Sequence, residues 1–320
     1  MFSNSRTAFW YGIQELQIKS GQTILVPEYI CDVVLHPLND LGINAIFYPV
    51  NNDFSPDWKY IENILIKKSI NALLLVHYFS QPQNIELAIE ICDKYKLCLI
   101  EDNAHGYGGL LNSKPLGSFG HMGFSSPRKN LQTASGGVLY IHGKLMGPEK
   151  YTLTDYPVVR SSEYARQLIK SFPRLKNKIR IYLRSEPDYS QPNLFQEEKE
   201  GYFKVDRNSK NQILTEDWQE HAKKRRKNWI FWSDFSVRNG MSPIWLSPHP
   251  ESCPWLIPVY VINAEDRVKW LNWGWRNGIN LTPWPSLPLQ VLKNSPISVN
   301  LWKHLLCFPL DREYQIKNFV

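Results

Sequence analysis

Between residues 23 and 100, short apolar runs alternate with helical stretches at close spacing, and this alternation restricts the chain to few architectures. Residues 23–26, 44–48, 72–76 and 97–100 read as strands, brief and apolar. Residues 5–19 place Ala8, Phe9, Ile13 and Leu16 at helical intervals before a stop at Gly21. Residues 33–41, 58–68 and 84–94 read as further helices, the first complicated by Pro37. Strand, helix and strand with such short links predict an α/β fold: a mostly parallel sheet covered on both faces. In such sheets ligands bind beyond the carboxyl ends of the strands, here just after Val76 and Ile100.

Beyond residue 151 the pattern weakens. Pro157, Pro173, Pro187 and Pro192 punctuate a polar stretch reaching residue 217, which reads as helices and excursions joining two lobes. A long helix then runs from Trp218 towards Gly240, followed by a strand at 258–262, a helix at 265–277 stopped by Gly278, a strand at 279–281 and the loop Pro283-Trp284-Pro285. The expected division is a large domain, residues 1–215, with an irregular connecting segment from about 151, and a smaller C-terminal α+β domain, residues 216–320.

Composition narrows the function. No apolar run approaches a membrane span, and the first residues lack a basic segment followed by an apolar one, so a cytoplasmic protein without a signal peptide is expected. Five scattered cysteines, Cys31, Cys92, Cys98, Cys253 and Cys307, form no CxxC and no zinc-ligand spacing; they read as reduced core thiols, with no metal. The net charge of +7 is modest for 320 residues. Its densest run, Lys223-Lys224-Arg225-Arg226-Lys227, reads as a solvated helix face and not as a nucleic-acid site, and the overall balance suits an acidic or phosphorylated small substrate.

Two segments carry the chemistry. In Glu101-Asp102-Asn103-Ala104-His105-Gly106 an acidic pair follows a buried strand, and a carboxylate there meets whatever ligand binds, its charged form favoured by a cationic partner such as a protonated ring nitrogen. Taken alone, Asp102 reads more readily as an N-cap or turn former and His105 as a structural histidine. In the second segment, Gly117 to Gly137, a single lysine, Lys129, sits among serines and glycines just before a strand. A lysine whose amine is made available by its surroundings can form a Schiff base with an aldehyde, and Ser125 and Ser126 could offer hydroxyls to a phosphate.

In order and spacing, Asp102-x-Ala104-His105, Gly117-Ser118-Phe119-Gly120, Phe124-Ser125, Lys129-x-Leu131 and Gly136-Gly137 resemble the DegT/DnrJ/EryC1/StrS family of sugar aminotransferases, which use pyridoxal phosphate on the aspartate-aminotransferase fold (fold type I). Asn4-Ser5-Arg6-Thr7-Ala8, Val26-Pro27, His77-Tyr78-Phe79, Gly278-Ile279, Trp284-Pro285 and Phe308-Pro309-Leu310 resemble outer landmarks of that family. The resemblance implies pyridoxal 5'-phosphate bound to Lys129, with Asp102 pairing its ring nitrogen and His105 near its phenolic oxygen. It further implies that Ser5, Arg6 and Ser125 hold the phosphate and that Tyr29 or Cys31 lies against the ring face. Trp284 is the candidate to stack on a sugar or nucleobase. The implied reaction moves an amino group from glutamate to a nucleotide-linked keto sugar, in a homodimer.

The departures are specific. Ser125 precedes Lys129 by four residues where the family commonly has five, Ser80 replaces a usual glycine, and only Arg160, Ser161 and Ser162 offer themselves for the family's cross-subunit segment. The presence of Lys129 disfavours the family's dehydratase branch, which carries histidine there. A transaminase for a non-sugar carbonyl and a non-catalytic relative with a binding or regulatory role are the alternatives.

Overall fold

The computed structural model describes residues 1–147, 153–157 and 201–314. Its centre is a seven-stranded sheet in the order β2-β1-β3-β4-β7-β8-β9, comprising β1 (Thr23–Pro27), β2 (Asn44–Tyr48), β3 (Ala72–Val76), β4 (Cys98–Asn103), β7 (Met122–Ser125), β8 (Val138–Ile141) and β9 (Lys144–Met146). From β2 to β7 every neighbouring pair is parallel, whereas β8 and β9 are antiparallel additions at the edge. This is the mostly parallel mixed sheet that the alternation of the sequence anticipates. Every residue of β3 is buried, as a central strand covered on both faces requires. A small hairpin, β5 (Leu110–Leu111) and β6 (Lys114–Pro115), lies outside the sheet.

Helices α1 (Ser5–Glu15), α2 (Leu35–Asp40), α3 (Trp58–Lys67), α4 (Ile85–Tyr95) and the short α5 (Pro127–Leu131) accompany these strands. Side chains close most of their N-termini: Asn4 accepts the Thr7 N–H, Asp57 the Tyr60 N–H and Asn84 the Leu87 N–H. Pro37 does not break α2, because it stands in the first turn where its missing N–H has no intrahelical partner to lose. Helix α1 ends earlier than its periodicity suggests, the chain turning at Gln17 with φ of 56°.

The C-terminal region contains α6 (Arg207–Thr215), α7 (Trp218–Arg238), α8 (Ala264–Asn277), α9 (Leu289–Asn294) and α10 (Pro296–His304), with an antiparallel sheet of β10 (Ser242–Pro243), β11 (Leu256–Tyr260) and β12 (Leu305–Pro309). Gly278 ends α8 in the left-handed conformation that favours glycine, as its position suggested. Residues 279–281 do not form the expected strand. Pro283 and Pro285 follow at once and carry no N–H for a ladder, so only Thr282 exchanges hydrogen bonds with Cys307 of β12. The expected excursions around 158–200, including Arg160, Ser161 and Ser162, lie outside the described residues.

Candidate active site

The acidic pair does not follow β4 but lies within it, and strand geometry separates the two carboxylates onto opposite faces. Glu101 is fully buried and bonded on both oxygens: Oε2 accepts from His77 Nε2 at 2.9 Å, and Oε1 accepts the Phe119 and Gly120 N–H groups at 2.6 and 2.5 Å. His77 Nδ1 in turn accepts the Gln83 N–H, which leaves the ring proton on Nε2 for Glu101. Glu101 therefore anchors the loop before β7, and Asp102 is the carboxylate left for chemistry. Its Oδ1 accepts the Ala104 N–H at 2.8 Å. Burial pushes the Asp102 carboxyl up to about 6, against the opposing pull of the Ala104 N–H, Lys129 and His77.

His105 lies just beyond β4, buried among rings: Trp284 at 4.6 Å, Trp255 at 5.0 Å and Phe79 at 5.2 Å between centroids. Burial, and secondarily the charge of Lys129, push its pKa well below the ordinary histidine value, so it is neutral. Its Nδ1 accepts the Phe79 N–H at 3.3 Å, leaving Nε2 to carry the proton. Lys129 stands on α5 with Nζ 4.4 Å from the centre of the Trp255 ring. Since its charge acts on both Asp102 and His105, the structure brings the three together in one site.

Two buried serines lie on and just after the neighbouring strand. Ser125 ends β7, and its buried Oγ has no hydrogen-bond partner among the described residues; the Oγ of Ser126 shares that condition. Ser125 pairs with Val138, next to Gly137, and Gly137 lies against the start of α1, where Ser5 and the buried Arg6 form the first turn. A Cβ on Gly137 would stand 2.1 Å from the Asn4 carbonyl oxygen. Gly137→Ala is therefore expected to force α1 off the sheet and lower stability by about 2–3 kcal/mol, measured as a fall in the urea midpoint at unchanged slope. Orphaned buried hydroxyls, a helix start, a lysine and a buried carboxylate form a donor set that fits a flat, phosphorylated aldehyde.

Of the two ring-face candidates, Tyr29 is fully buried, its hydroxyl donating to the Trp284 carbonyl at 2.7 Å and its ring 5.7 Å from that of Trp284. Cys31 is half-buried, with Sγ 3.6 Å from Asp32 Oδ1. Trp284 presents its ring edge-on to His105 and is almost wholly enclosed. Ser80, the replacement for glycine, adopts φ of 65°, and its Oγ accepts the Cys253 N–H at 3.0 Å, a bond glycine cannot make.

Two residues beside the candidate site are not picked out by the sequence analysis. Trp255 had no local signal. Arg225 was hidden in the basic run, which is not uniformly a solvated face: Lys223, Lys224 and Lys227 are exposed, but Arg225 is buried and donates to the carbonyls of Pro254, Trp255 and Asn130. The spacing Ala222, Arg225, Trp229, Trp232 is helical and sets the arginine on the apolar stripe, a signal present in the sequence.

Residues 1–165 match the DegT/DnrJ/EryC1/StrS aminotransferase family. GDP-perosamine synthase of Vibrio cholerae is 24% identical over 179 residues, 55% of this chain and 48% of that protein. The dTDP-4-amino-4,6-dideoxy-D-glucose transaminase of Escherichia coli is 32% identical over 109 residues, 34% of this chain and 29% of that protein. The matched stretch thus spans less than half of either relative. Among solved structures, Helicobacter pylori PseC, an aminotransferase involved in the biosynthesis of pseudoaminic acid, superposes with a TM-score of 0.66 at 16% identity, covering 97% of this chain and 80% of that one. That likeness establishes the fold. With more than half of its length matched, this chain belongs to the DegT/DnrJ/EryC1/StrS aminotransferase family.

Proposed function

We propose that the protein is a pyridoxal-phosphate-dependent aminotransferase that moves an amino group from glutamate to a nucleotide-linked keto sugar. The observation that carries this reading is the meeting of Lys129, buried Asp102 and neutral His105 beside the hydroxyl of Ser125, which has no partner among the described residues. Ser5, Arg6 and Ser125 would hold the phosphate, Tyr29 or Cys31 would lie against the ring, and Trp284 would line the substrate side. When bound, pyridoxal phosphate supplies an aldehyde for amino-group exchange and a ring that spreads the charge left by a broken C–H bond.

The chain's own residues supply the rest. Asp102, mostly ionised at neutral pH, holds a proton on a ring nitrogen. His105 is fixed as a neutral donor through Nε2 and orients an oxygen without adding charge. The Lys129 amine moves a proton to and from a substrate carbon, one group serving as acid and base in the two directions. Phe79, Trp255 and Trp284 close around His105 and exclude water. The same reading carries a cytoplasmic homodimer and the division into lobes of residues 1–215 and 216–320, the latter containing the small antiparallel sheet.

The test supplies purified protein and cofactor with glutamate and a panel of nucleotide-linked keto sugars. Glutamate is expected to change the visible-edge absorbance, and an amino sugar is expected as product. Transfer to non-sugar carbonyls alone would replace the sugar by another acceptor. A protein with no cofactor absorbance, or with one that glutamate leaves unchanged, would be a non-catalytic relative.

A further inference from the structure

The segment Ser252–Trp255, which leads into β11, is bonded at almost every polar backbone atom, and chiefly to side chains. The Cys253 N–H is taken by Ser80 Oγ, and the Cys253 carbonyl accepts from Asn130 Nδ2 at 3.0 Å. Arg225 donates to the carbonyls of Pro254 and Trp255 at 3.1 and 3.0 Å, and Arg226 donates to that of Ser252 at 2.7 Å. The Trp255 N–H donates to the His105 carbonyl at 3.0 Å. Only proline at 254, which has no N–H, could be left out of such a set.

Arg225 also reaches across to the carbonyl of Asn130, the residue after Lys129, at 2.6 Å. One guanidinium therefore ties the Lys129 turn and the Trp255 segment into a single frame. Its Nε donates to His221 Nε2 at 2.8 Å, and His221 Nδ1 meets Glu216 at 2.9 Å, so the arginine is itself held. A loop stapled in this way fixes a side chain, and the side chain it fixes is an indole with the Lys129 nitrogen over its face. Asp102 and His105 also sense the Lys129 charge.

We propose that Trp255 is a binding residue of this site, a pre-positioned aromatic face on which the Lys129 ammonium rests whenever that lysine is not covalently engaged, and that Arg225 is the positioning residue which keeps face and lysine together. This rests on the reading of Lys129 as the reacting amine. A quadrupole face stabilises a cation and not a neutral amine, so the indole gives the released lysine a defined place and charge. A water-filled pocket would leave the long side chain to wander.

The test needs no cofactor. The protein without pyridoxal phosphate is treated with a small amine reagent at fixed mildly alkaline pH, and labelling of Lys129 is followed by peptide mass spectrometry, with exposed Lys94 as internal reference. Trp255→Leu is expected to label about tenfold faster at Lys129, and Trp255→Phe only about two- to threefold faster, since a benzene face keeps part of the attraction. Arg225→Gln is expected to raise the rate severalfold, with Arg225→Lys restoring part of the protection. Equal rates for the Phe and Leu variants would mean that Trp255 merely blocks access, and a Leu variant labelling like wild type would mean that it does nothing; either result overturns the proposal. The Phe variant keeps a ring in the core and the Arg225 pair leaves Trp255 intact, so a misfolded Leu variant still leaves two independent readings. A wild-type protein that never binds cofactor but shows this order of rates would refute the proposed function and spare the aromatic rest.

Discussion

Replacing Lys129 by alanine is expected to lower amino transfer by about 10³-fold or more while shifting stability by only about 1 kcal/mol. The large effect follows because Lys129 is, among the described residues, the lysine whose charge is felt by both Asp102 and His105. The small effect follows from where the side chain lies. It is half-buried on the short helix α5, and the backbone there is held by neighbours that the substitution leaves untouched: Asn130 still donates to the Cys253 carbonyl and Arg225 still donates to that of Asn130. The loss includes a cation over an indole, a modest contribution at a partly exposed position. Three measurements check this together: turnover with glutamate, the thermal midpoint, and the mass gained after borohydride treatment in the presence of cofactor. The wild type should gain the mass of a reduced pyridoxyl group at Lys129, and the variant should not. A variant that keeps turnover within tenfold of wild type would remove the lysine from the chemistry.

Much of the sheet is legible because its residues obey a local rule. Residues 72–76 are apolar at every position, and every one of them is buried. Trp58–Lys67 alternates faces at helical intervals and begins at an aspartate that caps it. What fails to be legible depends on partners distant in sequence. Strand β4 seemed to stop before Glu101 because a carboxylate is a poor strand interior; it continues because His77, Phe119 and Gly120 satisfy that carboxylate from elsewhere. Residues 279–281 look like a strand, but only Thr282 just beyond them pairs with β12, because Pro283 and Pro285 carry no N–H to extend the ladder.

The candidate site divides in the same way. Asp102, His105, Ser125 and Lys129 were legible from motif order, and the structure gathers them. Trp255 was not, since nothing in Ser252-Cys253-Pro254-Trp255 is periodic and its importance comes from Ser80, Asn130 and Arg225, which lie 173, 123 and 29 to 30 positions away. Arg225 stands between these cases. Its helical spacing to Ala222 and Trp229 was visible, but a run of like charges drew attention to charge and away from phase.

Asp102→Asn is expected to separate stability from function, making the cofactor-free protein more stable at neutral pH while reducing turnover by about 10²-fold or more. The Asp102 carboxyl is raised from 3.8 to about 6 in the folded chain, with burial the dominant cause. Between these values the folded state holds a proton that the unfolded state has released, so wild-type stability falls as pH rises from about 4 through about 6 and then levels off. Asparagine resembles the protonated acid and still accepts the Ala104 N–H, so it escapes that loss. The two proteins should therefore unfold alike near pH 4, whereas at pH 8 the variant should be the more stable by about 2–3 kcal/mol. Urea unfolding across this range checks the sign, and a variant less stable than wild type at pH 8 would contradict it. Function moves oppositely because an amide carries no charge to hold a proton on a ring nitrogen. The wild type should accordingly gain more in thermal midpoint from added cofactor than the variant does, so that the charge which burdens the empty fold becomes favourable once a cationic ring faces it.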